Sequence, residues 1–242
     1  MDYYKEEKMN CIVCNTKNLE NNWMRGVTKC TKCSHIYRDY PKINLTEYYS
    51  ETYRNHEDNK DNLPKSVHEQ RANFILSKIG EFVNTDKSFF EVGFGYGHFY
   101  NSLIKKFPEI KYSCCEISKP LAEVNNMKGI DTLNCSFQAV PENNKKYDTI
   151  ASFDVLEHFY DPKDYVDKLE KLLNIGGHAV IQVPTDRQIH FKNKFDGHYH
   201  YFSEQSLKYL LNKSFDNVMF YKTKPKETAN GVEFLTVFRR VR

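Results

Sequence analysis

No uninterrupted apolar run in this 242-residue chain approaches the roughly 18 residues of a membrane span. The start, Met1-Asp2-Tyr3-Tyr4-Lys5-Glu6-Glu7, has no signal-peptide pattern. A cytoplasmic protein without membrane contact is therefore expected, and its seven cysteines are then thiols or metal ligands rather than disulfides. Charge of one sign is also scarce. The 35 basic and 32 acidic residues are scattered and leave a net charge of +3, which implies no broad polyanion-binding face and disfavours nucleic acid as a partner. Glycine is missing from position 98, where a dinucleotide-binding G-x-G-x-x-G beginning at Gly93 needs one; His98 stands there and argues against a nicotinamide oxidoreductase.

The length suits one ordinary domain with an appendage. Phe and Tyr, 17 of each, supply a core, while a mean hydropathy of -0.71 implies a polar surface. Cys11, Cys14, Cys30 and Cys33 form C-x2-C-x15-C-x2-C, a spacing that suits a structural zinc site. Two C-x-x-C knuckles give the closed tetrahedral set that Zn²⁺ prefers, whereas redox C-x-x-C motifs usually occur singly. Metal binding worth on the order of 10 kcal/mol then replaces the core that a module of roughly 35 residues lacks. Asn21 to Thr28 suits a hairpin carrying Trp23, and His35 reads as a surface residue. Beyond it, Tyr37, Tyr40, Tyr48, Tyr49 and Tyr53 mark a linker with one short helix, whose rings either pack onto the next domain or serve an acceptor site.

After Pro64, Val67, Phe74, Ile75 and Ile79 have helical spacing up to Gly80. Ser88 to Val92 then reads as a buried strand, Gly93 to Gly97 as a sharp turn, and Phe99 to Phe107 as a helix stopped by Pro108. A second strand, Ile110 to Cys115, ends in Glu116. Ser118 is a candidate cap for the next helix, and a short strand is expected at Ile130 to Leu133. Cys114, Cys115 and Cys135 lack ligand spacing and read as buried small hydrophobes. Tyr147 to Phe153 reads as a strand, Lys163 to Asn174 as a helix and His178 to Pro184 as a strand. A helix around Leu207, Leu210 and Leu211 follows, then paired strands at Val218 to Tyr221 and Val232 to Phe238.

The E-x-G-x-G-x-G of Glu91 to Gly97, the Asp-Val-Leu-Glu-His of Asp154 to His158 after Tyr-Asp-x-Ile, and the His-Tyr-His-Tyr-Phe of His198 to Phe202 together resemble class I S-adenosylmethionine-dependent methyltransferases. With the four-cysteine module and tyrosine-rich linker, nearly the whole chain resembles bacterial methyltransferases of capsule, surface-polysaccharide and antibiotic-sugar pathways. The resemblance implies an α/β fold, a mostly parallel Rossmann-like sheet closed by a C-terminal antiparallel hairpin, with a small zinc-binding module. The expected division is 1–40 for the module, 41–64 for the linker and 65–242 for the methyltransferase domain.

The same resemblance implies that Glu91, Gly93, Gly95 and Gly97 hold the methionine and ribose portion of S-adenosylmethionine. Glu116, 19 residues after Gly97, takes the ribose hydroxyls. Ser136 and Phe137 lie near the adenine, and Phe153 and Asp154 near the methionine end. Methyl transfer from a sulfonium needs chiefly a positioned acceptor and a base near neutrality. His198 matches the family's motif histidine and is the expected general base; His158 either shares that role or holds its helix start, and His200 and Tyr201 either orient the acceptor or pack the loop. Gly197 replaces an acid that relatives carry beside that histidine. The implied acceptor is small, a nucleotide-linked sugar or a phosphate or phosphoramidate group, methylated on oxygen or alternatively on a sugar carbon. No Pro-Cys and no Pro-Pro-Tyr occurs, which disfavours methylation of nucleic-acid bases. A zinc-ribbon nucleic-acid-binding protein is the rival from another class.

Overall fold

The computed structural model describes residues 10–24, 26–38, 40–54, 65–83, 87–143, 145–184, 197–211, 214–222 and 234–242. The end of the expected linker and the connection between the last two strands lie outside them. The N-terminal hairpin is present as β1 (Leu19–Met24) and β2 (Val27–Cys30), in antiparallel register. A third strand, β3 (Ile36–Arg38), occupies residues that read as linker. Three residues are too few for an alternating pattern to show, yet Ile36 and Tyr37 are buried. The linker helix is α1 (Leu45–Arg54), followed by α2 (Lys65–Ile79).

Ala72, Ile75, Leu76 and Ile79 recur on one face of α2 and are buried there. They cover one side of a sheet that begins with β4 (Ser88–Val92). Phe89 of β4 points to this side, while Phe90 and Val92 join the core on the opposite side, as a two-residue period requires. The chain continues through α3 (His98–Lys106), β5 (Lys111–Cys115), α4 (Lys119–Met127), β6 (Thr132–Leu133) and β7 (Tyr147–Phe153). Ser118 stands at the N-cap of α4 as expected, but its hydroxyl is buried and makes no capping bond. Asp161 does cap α5 (Pro162–Leu172), accepting from Lys163 N–H at 2.9 Å. β8 (Leu173–Val183) starts earlier than expected, because Leu173 already pairs with Tyr147 across an irregularity before Thr149. β9 (His200–Tyr201), α6 (Glu204–Leu211), β10 (Phe215–Lys222) and β11 (Phe234–Arg240) complete the chain.

The large sheet has the order β10-β11-β8-β7-β4-β5-β6. β8, β7, β4, β5 and β6 run parallel, and β11 pairs antiparallel with both β8 and β10. The expected mixed α/β sheet with its antiparallel closing pair is therefore present. Strand order reverses at β4, which lies between β5 and β7, and ligands of such sheets bind beyond the strand C-termini at this point. A second sheet, β1-β2-β3-β9, ties the N-terminal module to the segment after β8, with Ile36 opposite Tyr201 and Tyr37 opposite His200. Among the described residues no helix is long and apolar enough to cross a membrane.

Candidate active site

The turn after β4 is built by its backbone. Gly93, Gly95 and Gly97 all have positive φ (74°, 55° and 73°), and a Cβ on Gly97 would stand 2.5 Å from the Phe94 ring, so a side chain there would be strained and would have to displace that ring. Gly95 N–H donates to one oxygen of Glu116 and Ser118 N–H to the other, both at 2.8 Å. These two bonds hold the carboxylate at the end of β5 facing the glycine turn. Burial raises its pKa, and the two backbone donors pull it back. Glu91 lies beneath the turn, 3 % exposed, and accepts from Tyr112 Oη at 2.6 Å. Burial pushes its pKa up to about 8, opposed by the Tyr112 bond and reinforced by Glu116.

A single cleft of about 540 Å³ runs from this turn across the end of β7. Glu91, Gly93, Gly95, Glu116, Ser136, Phe137, Phe153 and Asp154 line it, so eight of the nine residues expected to hold the cofactor face one space. Gly97, the ninth, does not line it and packs against the Phe94 ring. Asp154 takes a left-handed backbone (φ 57°), which Asp tolerates better than most residues. Arg71 of α2 donates to its Oδ2 at 2.5 Å and to Gln182 Oε1, and Gln182 Nε2 donates to Asp154 Oδ1 at 2.7 Å. Arg71 and Gln182 received no role from the sequence, since neither lies in a motif.

The far wall is formed by Leu45, Tyr48 and Tyr49 of α1, His68 of α2 and His158. The tyrosine-rich stretch thus contributes rings to the cleft, and Tyr49 meets His158 edge-on at 5.7 Å. His158 Nδ1 lies 2.8 Å from Gly197 O; a carbonyl only accepts, so Nδ1 carries the proton. Gly197 has φ 88°, and a Cβ there would come within 3.1 Å of that same Nδ1. Gly197 therefore orients a histidine through its carbonyl. His198 stands behind His158, ring centroids 4.7 Å apart at 68°.

A methyltransferase-domain family model matches residues 67–214, more than half of the chain. The chain belongs to this methyltransferase family. None of the curated protein sequences compared with it matches. Among solved structures it is similar to the 1,6-didemethyltoxoflavin-N1-methyltransferase of Burkholderia thailandensis, solved with that acceptor and S-adenosylhomocysteine bound, at 14% identity, covering 88% of this chain and 98% of that one, with a TM-score of 0.62. It is also similar to an S-adenosylmethionine-dependent methyltransferase of Thermotoga maritima (18% identity, 81% and 99% covered, TM-score 0.60). A third, from Clostridium acetobutylicum, gives 12% identity, 82% and 100% covered and a TM-score of 0.53. At these identities the likeness is one of fold. Family and fold together support the expected enzyme class, an S-adenosylmethionine-dependent methyltransferase.

Of the four candidate catalytic residues only His158 lines the cleft, and for His200 and Tyr201 the burial agrees with packing the loop rather than orienting the acceptor. His200 and Tyr201, 2 % and 0 % exposed, are buried in β9 against β3 and do not line the cleft. His35, expected at the surface, is fully buried, with Nε2 3.1 Å from His200 Nδ1. The cause is β9 itself, whose docking on β3 covers both rings. Ser203 Oγ adds a bond to Cys33 O at 2.6 Å.

The four module cysteines converge, with Sγ atoms 3.8 Å apart for Cys11 and Cys33 and 3.6 Å for Cys14 and Cys30. Thiolates about 2.3 Å from a zinc ion stand about 3.8 Å from one another in a tetrahedron, so donor type and spacing both fit Zn²⁺. Cys11, Cys30 and Cys33 are buried in the same core as Phe202 and Leu207, and the cluster faces no part of the cleft. Cys114 and Cys115 are buried as expected, while Cys135 is half-buried at the cleft wall.

Proposed function

We propose that this methyltransferase moves the methyl group of S-adenosylmethionine to an oxygen of a small acceptor, a nucleotide-linked sugar or a phosphate or phosphoramidate group, in the cytoplasmic synthesis of a capsule or related surface polysaccharide. One observation carries the reading: the cleft joins a glycine turn faced by two buried carboxylates to a wall of tyrosine and histidine. In this reading Glu91, Gly93, Gly95 and Gly97 cradle the methionine end with Phe153 and Asp154, Glu116 takes the ribose hydroxyls, and Ser136 and Phe137 flank the adenine. The acceptor occupies the space bounded by Tyr48, Tyr49 and His158. The carbon–sulfur bond breaks and leaves its electron pair on sulfur, the acceptor oxygen bonds the carbon, and the oxygen's proton departs toward the His158–His198 pair. The four cysteines hold a structural Zn²⁺ that shapes the module without taking part in chemistry.

Calorimetry of the zinc-loaded chain with S-adenosylmethionine tests the donor, and absence of binding to folded protein ends the reading. A panel of nucleotide sugars and phosphorylated metabolites, assayed for S-adenosylhomocysteine release, then finds the acceptor. Release with nucleic acid but none of these would overturn the small-acceptor assignment.

A further inference from the structure

Glu157 is fully buried, and neither carboxylate oxygen has a hydrogen-bond partner. Such a group is rarely left so in a folded protein, because removing an ionised carboxylate from water without compensation costs several kcal/mol. His158 Nε2 lies 3.9 Å from Glu157 Oε1, too far for a hydrogen bond, and burial, then the Asp154 charge, raise the carboxyl's pKa against the pull of Arg71. His158 Nδ1–H is committed to Gly197 O, which leaves Nε2 as the ring atom that faces the carboxylate. His198 supplies a third donor, and one ligand atom from each of the three residues falls within 4.8 Å of the others. Three potential electron-pair donors thus lie close together, with Arg71 the cation that acts on Glu157 among the described residues.

We propose that Glu157, His158 and His198 form a second metal site, which takes a divalent first-row transition ion. Bonds of about 2.0–2.2 Å bring two donors to about 3–4 Å from each other, so the Glu157–His158 separation already fits and His198, half-buried, closes by a small ring movement. Two imidazoles and one carboxylate suit Zn²⁺, Co²⁺, Fe²⁺ or Mn²⁺, whereas the four-thiolate cluster selects a softer set. The bond from His158 Nδ1 to a backbone carbonyl is the outer support that metal-bound histidines use to fix ring and tautomer. Tyr199 N–H to Glu157 O, 2.9 Å, staples the two contributing segments together. Three protein ligands leave coordination positions open, and of the three only His158 lines the cleft, so an ion would meet the acceptor pocket at its His158 edge. Resting on the acceptor reading above, an ion held there would act as a Lewis acid that lowers the pKa of an acceptor hydroxyl, whose proton would then pass to solvent instead of to the His158–His198 pair that takes it in the ion-free chain. The histidines are then ligands rather than free bases.

The test uses the full chain with its four-cysteine site zinc-filled, titrated with Co²⁺ and followed by visible absorption and equilibrium dialysis. One Co²⁺ per chain should bind beyond the thiolate-held ion, with ligand-field bands and no thiolate charge transfer. Glu157→Gln and His198→Ala should each weaken it by more than about tenfold while S-adenosylmethionine binding is retained. If Glu157→Gln fails to fold, His198→Ala, whose side chain is only half-buried, decides alone. No additional Co²⁺, or Co²⁺ binding indifferent to both substitutions, overturns the metal site. The methyltransferase reading fails separately, only if S-adenosylmethionine does not bind.

Discussion

The two ends of the cleft are made differently. At the cofactor end, the turn Gly93 to Gly97 and the strand before it are contiguous, and Glu116 is held by backbone N–H groups of Gly95 and Ser118. At the acceptor end, Tyr49 comes from α1, Glu157 and His158 from the turn after β7, and Gly197 and His198 from the turn before β9. One end is local backbone geometry, which permits few residue types. The other is a meeting of side chains from separate segments, where many residue types fit each position and the combination carries the chemistry. Under the proposed assignment, the cofactor end can be shared across a family, while the acceptor end would set what this chain methylates.

The comparison breaks most sharply if the ends are not separable. His158→Ala and His198→Ala should each lower turnover by about 10²–10⁴-fold with S-adenosylmethionine affinity nearly unchanged. Single-turnover kinetics beside calorimetry separates the two quantities. Equal turnover in His198→Ala would remove that residue from both the base and the metal readings.

A smaller effect of opposite kind is expected at the cofactor end. Gly97→Ala forces a Cβ onto the Phe94 ring at a left-handed backbone position, a strain of about 1–3 kcal/mol. Cofactor affinity should fall by roughly ten- to a hundredfold, while turnover at saturating cofactor changes little. If turnover fell and affinity held, the turn would not be the cofactor's support.

This contrast also explains what was readable in the residues alone. The order of strands followed from apolar runs and glycines at Ser88 to Gly97, Tyr147 to Phe153 and His178 to Pro184, because parallel strands buried on both faces read as near-continuous apolar segments. β3 and β9 were not legible: with three and two residues they carry no periodicity, and their pairing joins positions more than 160 residues apart, such as Tyr37 and His200. That hidden sheet is why His35 reads as exposed and is buried. Arg71 was equally hidden, since nothing around it in α2 shows that it reaches Asp154. Glu157 stood in a motif beside His158, but its burial without partners is visible only in three dimensions.

The finest expected difference between the ends is a proton. Glu91 has a folded-state pKa of about 8, raised chiefly by burial, against about 4.3 for an ordinary glutamate. Between those values the folded chain holds a proton that the unfolded chain has lost. Stability of the ligand-free protein should therefore fall as pH rises from about 4.3 to about 8 and be independent of this group outside that window. The positively charged methionine end of the cofactor favours the ionised carboxylate, so binding at pH 7 should expel protons from Glu91. Calorimetry in two buffers of different ionisation enthalpy measures this release, and Glu91→Gln should abolish it. A release that persists in Glu91→Gln would assign the proton to another group and leave Glu91 neutral in the complex, as a hydrogen-bond donor rather than a counter-charge.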